Sequence, residues 1–172
     1  FLSTRGFSGA AIGGTLALLP LASLLSAPAW AVLADRSRRG DRILQGVLAA
    51  TVLAAGVVLV ARGPLLLALA VAAFAAARSS VGPLLDAQVL RWLDERHGRG
   101  ETYGRIRLFG SAGYLICGGL CAWAAEVSTA APLLIGLVLW IAGLGLAFLL
   151  PASSPAPPSL VGPALRELGR QP

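Results

Sequence analysis

The chain has 172 residues, of which 56% are hydrophobic and only 13% are charged, and its mean hydropathy is +0.77. An average soluble domain is about 25% charged, so this composition excludes an ordinary soluble globule. The net charge of +6 would also suit a nucleic-acid-binding protein, but all 14 basic residues are arginines that lie between long apolar stretches. That placement indicates a membrane protein and argues against nucleic acid as a partner.

Five apolar stretches are long enough to cross a bilayer as helices. In chain order they occupy about residues 10–34, 43–61, 65–90, 108–125 and 130–150. A spanning helix needs about 20 mostly apolar residues, whereas a strand rarely exceeds about ten. Backbone groups in lipid must be satisfied within each segment, so residues 1–150 are predicted to form an all-α, polytopic membrane helix bundle. Pro20, Pro28 and Pro83 lie inside these stretches and predict kinks.

The arginines predict how this bundle is oriented. Most of them lie in residues 35–42, 91–107 and 151–172, which five spans would place on one side, whereas Arg5 and Arg62 lie on the other. The positive-inside rule puts the arginine-rich side, and therefore the C-terminus, in the cytoplasm. Residues 151–172 begin with a Pro/Ser-rich linker and are predicted to be a cytoplasmic loop. An external N-terminus without a signal sequence or methionine predicts that one further helix precedes this segment.

Tryptophans, cysteines and the single histidine have simple structural interpretations. Trp30, Trp92 and Trp123 lie near predicted span ends, where an aromatic belt would place them, and Trp140 is expected to pack against a neighbouring helix. Cys117 and Cys121 lie four apart, as small core residues on one helix face, and His97 lies in a polar loop. No cluster has metal-ligand spacing and no nucleotide-binding loop is present, so the sequence predicts no metal, no cofactor and no enzyme activity.

The segment after the first span carries a recognisable pattern. It reads WAVLADRSRRGDR and resembles the cytoplasmic motif of the major facilitator superfamily. The matching residues are Asp35, Arg36 and Arg39, whereas Ala31 and Gly40 depart from the pattern. The resemblance implies a gate in which these charges latch neighbouring helices in one access state. The alternative is a solvated turn that obeys the positive-inside rule.

A second segment, PLLDAQVLRWLDERHGRGETYGRIRLFGSAGYLICG, resembles the fourth-to-fifth helix region of one branch of that superfamily. This branch includes phenylpropionate and nucleoside permeases, with the lactose permease as a more distant relative. The residues that carry the resemblance are Pro83, Asp86, Ala87, Tyr103, Gly104, Arg107, Gly110 and Ser111. It implies that the five spans are helices 2–6 of a 12-helix fold, that is, most of its N-terminal half.

The resemblance also implies a function. Members of this family are secondary active transporters, and many are proton symporters that bind a small organic solute between two six-helix halves. The expected partners are membrane lipid, the solute, H+, the missing helix 1 and the C-terminal half, and the expected location is a bacterial inner membrane. The alternative is a non-transporting, half-size membrane scaffold or assembly module.

Two charged residues in the third stretch are the candidates for the transport path. Arg78 lies near the middle of that stretch, where a charge costs several kcal/mol and usually faces a cavity or the bundle interior. It is predicted to bind substrate or to pair with a proton-carrying carboxylate, and the alternative is a structural ion pair. Asp86 is eight residues further on, about 12 Å along a helix axis. It could carry the proton, or hold the inner gate through an arginine such as Arg107, which is predicted to precede the fifth helix.

Overall fold

The computed structural model describes residues 8–37, 40–95 and 100–149, which form six α-helices. In chain order these are α1 (Gly9–Ser37), α2 (Gly40–Val60), α3 (Pro64–Arg78), α4 (Val81–Glu95), α5 (Gly100–Val127) and α6 (Ala131–Leu149). Five segments are long and apolar enough to cross a membrane, and α3 with α4 forms the third of them. The predicted all-α membrane helix bundle is therefore confirmed.

Several helices continue beyond the apolar stretches that predict them. Asp35 and Arg36, expected in a loop, lie in the last turn of α1, and α2 begins only three residues after Ser37. Arg107, expected ahead of the fifth helix, lies two turns inside α5. A stretch of sequence without charged residues marks the part of a helix that lies in lipid. The helix itself can extend further into the aqueous interface, because residues such as arginine also favour the helical conformation. The predicted position of Arg107 before the helix was therefore wrong.

The helices pack in the spatial order α1, α3, α2, α6 and α5, with α4 against α2. The main apolar cluster joins α2, α4 and α6 through Leu44, Val47, Leu48, Val81, Leu84 and Ala147. Trp140 of α6 meets Phe74 of α3 edge-on, with ring centroids 6.2 Å apart and planes at 85°. The predicted packing of Trp140 against a neighbouring helix is confirmed, and the contact couples α6 to the middle of the third membrane segment.

A hydrogen bond and a close approach join α2 to its neighbours at the predicted cytoplasmic end. Gln45 Nε2 donates a hydrogen bond to the carbonyl of Ala147 on α6, at 3.1 Å. On the other side, Arg91 of α4 places Nη2 only 3.1 Å from the position that a Cβ would take on buried Gly40. The first residue of α2 therefore has to be small for the Arg91 guanidinium to lie against it, as is common where membrane helices approach closely.

Candidate functional site

The third membrane segment is broken near its middle. The helix α3 ends at Arg78 and α4 begins at Val81, with a turn at Ser79 and Ser80 between them. Pro83 has no N–H, so it cannot donate to the carbonyl four residues before it, which belongs to Ser79. Backbone hydrogen bonds flank the turn on both sides. The N–H of Ser79 donates to the carbonyl of Ala75 at 3.1 Å, and the N–H of Leu84 donates to the carbonyl of Ser80 at 3.0 Å. The kink predicted from Pro83 is thus a break one turn ahead of it.

Side chains of α1 reach into this break. Trp30 Nε1 donates to the carbonyl oxygen of Ala76 at 2.9 Å. Ser26 Oγ lies 3.1 Å from the same oxygen and 3.0 Å from Ser79 Oγ. The polar atom of Trp30 therefore bonds to a neighbouring helix, and the residue is half-buried rather than free at the membrane surface. The prediction of an aromatic-belt position for Trp30 did not include this hydrogen bond to α3.

Arg78 and Asp86 lie on opposite sides of the break and both are exposed. Gly82 stands midway between them at four-residue spacing, is exposed too, and a Cβ there would meet no atom within 4 Å. Within α4, Gly82 and Asp86 are four residues apart and lie on one face. Arg78, Gly82 and Asp86, which we call the strip, are thus exposed in turn along the segment, with a cation before the turn at Ser79 and Ser80 and a carboxylate after it.

Two cavities between the helices are apolar and do not include this strip. One, of about 420 Å³, lies between α1, α2, α3 and α6, where Thr15 and Thr129 are its polar residues. The other, of about 480 Å³, lies between α2, α4 and α6. Arg78 and Asp86 line neither of these two. The charged candidates therefore belong to the outer face of the described helices and not to an enclosed pocket.

Five of the residues that carry the second resemblance lie on α5, namely Tyr103, Gly104, Arg107, Gly110 and Ser111. The three polar ones among them follow each other at four-residue spacing. Arg107 Nη1 donates to the hydroxyl of Tyr103 at 3.2 Å, and Ser111 Oγ donates to the carbonyl of Arg107 at 3.2 Å. A Cβ added at Gly104 or Gly110 would meet no atom within 4 Å. Within the described residues, the side-chain hydrogen bond of Arg107 goes to Tyr103 on its own helix and does not link it to α4.

The cytoplasmic motif is only partly described. Asp35 and Arg36 belong to the last turn of α1, of which the backbone alone is described there, and Arg39 lies outside the described residues. His97 and the segment 151–172 also lie outside them. Across residues 8–37, 40–95 and 100–149, no group of three or more His, Cys, Asp or Glu side chains could hold a metal ion. The gate role of the motif thus remains a prediction.

Comparison with known proteins agrees with the predicted membrane helix bundle. Residues 1–156 match the profile of the MFS_1 like family. The chain belongs to this family. It is thereby an integral membrane protein of the major facilitator type, as the motifs around Asp35 and Asp86 predict. No solved structure matches the chain.

Two curated relatives of this MFS_1 like chain are bacterial. A maltose permease of Geobacillus stearothermophilus is 35% identical over 122 residues, which cover 69% of the chain and 29% of the relative. An uncharacterized transporter, YwbF, of Bacillus subtilis (strain 168) is 34% identical over 112 residues, which cover 62% of the chain and 26% of the relative. The chain thus spans less than a third of the length of each of these relatives.

Proposed function

We propose that this chain is part of a secondary active transporter that moves a small organic solute across a bacterial plasma membrane together with H+. The proposal is carried by one observation, the exposure of Arg78 and Asp86 on the two sides of a break within the third membrane segment. Broken helices near the bilayer midplane are typical of the binding sites of secondary transporters. The family supports a transporter and not an enzyme.

The cost of burying charge in lipid supports a path along this face. A charged side chain at the bilayer centre costs about 2.5–3.5 kcal/mol or more, so such residues face other helices or water rather than acyl chains. Arg78 is exposed in the described helices, and a lipid-facing position would be unfavourable. In the complete transporter, this face would line the water-filled path between the two halves, and the apolar outer faces of the helices would contact lipid.

The solute is taken to be polar, because the strip offers a cation and a carboxylate. The guanidinium of Arg78 has five N–H donors and no acceptor, whereas ionised Asp86 only accepts. A solute with several hydroxyl groups could bond to both ends, and one of the relatives is named as a maltose permease. Saccharides are therefore the first solutes to test, followed by organic acids that would bind Arg78 alone.

The orientation proposed for the chain follows the arginines. Arg36, Arg42 and Arg91 fall at ends of α1, α2 and α4 that lie on one side, whereas Arg62 follows α2 at the other. That asymmetry places the end of α6 in the cytoplasm. Alkaline phosphatase fused after Leu149 is then expected to be inactive and the same reporter after Arg62 active, and the reverse pattern would reject this orientation.

The strip between Arg78 and Asp86 offers a test that leaves both charges in place. We expect Gly82→Leu to reduce solute uptake at least about tenfold, because a leucine side chain fills the space that the solute would occupy, and inserting groups into a fitted site commonly costs 1–3 kcal/mol. Uptake is measured with radiolabelled saccharides in cells that lack their own permeases and express the complete reading frame containing this segment.

Gly145→Leu is the matched control. Gly145 is also an exposed helical glycine whose Cβ would meet no atom within 4 Å, but it lies on α6, away from the strip. It should leave uptake within about twofold of the unmodified protein. Equal uptake by both variants would reject the strip as the path. A complete reading frame of half size, with no uptake of any solute, would instead favour the scaffold alternative.

A further inference from the structure

The break in the third membrane segment leaves backbone groups that lipid cannot satisfy. The carbonyl of Ala75 still accepts the N–H of Ser79 at 3.1 Å, but the last turn of α3 runs into a turn in which Pro83 supplies no N–H donor. No water is available in the bilayer core to bond to carbonyl groups left without a donor. The neighbouring α1 supplies donors, because Ser23 Oγ bonds to the carbonyl of Ala75 at 3.3 Å and Trp30 Nε1 bonds to that of Ala76 at 2.9 Å.

The hydroxyl groups at the break can be arranged in one consistent network. Ser79 Oγ lies 2.8 Å from the carbonyl oxygen of Ala76, and Ser26 Oγ lies 3.0 Å from Ser79 Oγ. Each hydroxyl has one proton and a carbonyl accepts two hydrogen bonds. Trp30 and Ser79 can therefore both donate to Ala76, while Ser26 donates to Ser79. Ser26 and Trp30 act from the same face of α1, four residues apart.

We infer that Ser26 and Trp30 are positioning residues for substrate binding. They hold the last turn of α3 against α1 and thereby fix the direction of Arg78, which is two residues beyond Ala76. Neither residue belongs to the exposed strip, so their effect on the solute is exerted through Arg78. The role in transport rests on the proposed function, whereas the effect on the position of Arg78 does not.

The first readout is the position of residue 78 itself. In the full-length transporter, with its other cysteines replaced, Arg78→Cys is labelled with a water-soluble methanethiosulfonate. We expect Trp30→Phe, which removes the N–H donor but keeps an aromatic ring, to change the labelling rate about 3- to 20-fold, the range of one hydrogen bond between membrane helices. Ser26→Ala should act in the same direction.

The chain offers a matched control for each variant. Trp123→Phe makes the same chemical change on an exposed residue of α5, and Thr51→Val removes a hydroxyl that bonds to Val47 within α2. Both should leave the labelling rate within about twofold, because the hydroxyl of Thr51 bonds within α2 and the ring of Trp123 is exposed on α5. Labelling of the Trp30→Phe and Ser26→Ala proteins at the control rate would overturn the inference, whatever the uptake measurements give.

The second readout is transport with Arg78 intact. Trp30→Phe should raise the KM for the solute by a factor similar to the change in labelling, about 3- to 20-fold, with little change in the maximal rate. A merely structural role would lower the amount of folded transporter and so the maximal rate, with KM unchanged, and that result would also overturn the inference. If the unmodified protein transports nothing, the proposed function fails, and labelling still decides whether Ser26 and Trp30 position residue 78.

Discussion

Arg78→Ala is expected to lower solute uptake, as the ratio of maximal rate to KM, about 10- to 100-fold, because hydrogen bonds to a charged group contribute about 1.5–3 kcal/mol. The variant loses the guanidinium at one end of the strip and keeps the turn at Ser79 and Ser80. It is measured in the full-length transporter by initial rates over a range of solute concentrations, with the amount of transporter in the membrane determined for each variant.

Two further variants separate recognition from charge. Arg78→Lys keeps the positive charge but not the planar fork of donors, so it should recover only part of the uptake. Arg62→Ala removes an exposed arginine between α2 and α3 and should leave uptake within about twofold, since an exposed charge at the predicted membrane surface contributes little. Normal kinetics for Arg78→Ala at a normal protein level would remove Arg78 from the path and support a structural role instead.

Asp86→Asn is expected to abolish uphill accumulation of the solute, and this is the second large effect. The amide is close in shape to the carboxyl group but can neither lose nor gain the proton that would accompany the solute. Exchange of solute without net proton movement should survive, within about threefold of normal, since hydrogen bonding at the position is only modestly changed. The measurement compares accumulation under a pH gradient with solute exchange at equilibrium, both in proteoliposomes.

The same comparison decides between the two roles predicted for Asp86. If Asp86 holds a gate, Asp86→Asn impairs exchange as much as accumulation, because the conformational step is common to both. Glu126→Gln is the matched control, since Glu126 is an exposed carboxylate at the other end of the membrane, near the end of α5. It should behave as the unmodified protein in both assays, whereas loss of accumulation in this control would show that the assay does not isolate Asp86.

The fold class could be predicted because apolar length leaves few choices in lipid. A segment such as Ala131–Leu149 has no charge, and only a helix satisfies its backbone there. Helix ends were harder to predict. The sequence places Arg107 ahead of the fifth helix, but this helix begins at Gly100. The apolar residues show which part of the helix lies in lipid, and they do not show where its backbone hydrogen bonds begin.

The sequence predicts which charged residues belong to the candidate site, but it does not predict the contacts between helices that surround them. Arg78 stands out in the sequence because a charge within an apolar stretch has a high free-energy cost in lipid. Pro83 has no N–H and therefore predicts a distortion of the helix nearby. The donors that complete the break, Ser26 and Trp30, lie 46 or more residues away along the chain from Ala76 and Ser79. No local pattern links such distant residues, because the contact exists only once α1 packs against α3. The sequence therefore predicts only a position near the membrane interface for Trp30.

The role of Arg107 illustrates the same limit. Arg107 donates to Tyr103, four residues earlier on the same face of α5, at 3.2 Å, and a position ahead of the helix could not predict this hydrogen bond. Its predicted pairing with Asp86 depends on how α5 approaches α4. That pairing remains a prediction, and the Asp86→Asn exchange assay tests it.

Proton-coupled transport by the complete protein is the proposal on which the expected effects at Arg78 and Asp86 rest. The direct measurement is uptake of radiolabelled saccharides by proteoliposomes that contain the full-length protein, with the internal pH set above the external pH. We expect the solute to accumulate above its external concentration and to leave when a protonophore collapses the gradient. Absence of uptake and of exchange for saccharides, nucleosides and organic acids alike, by protein that is folded and correctly inserted, would contradict the account.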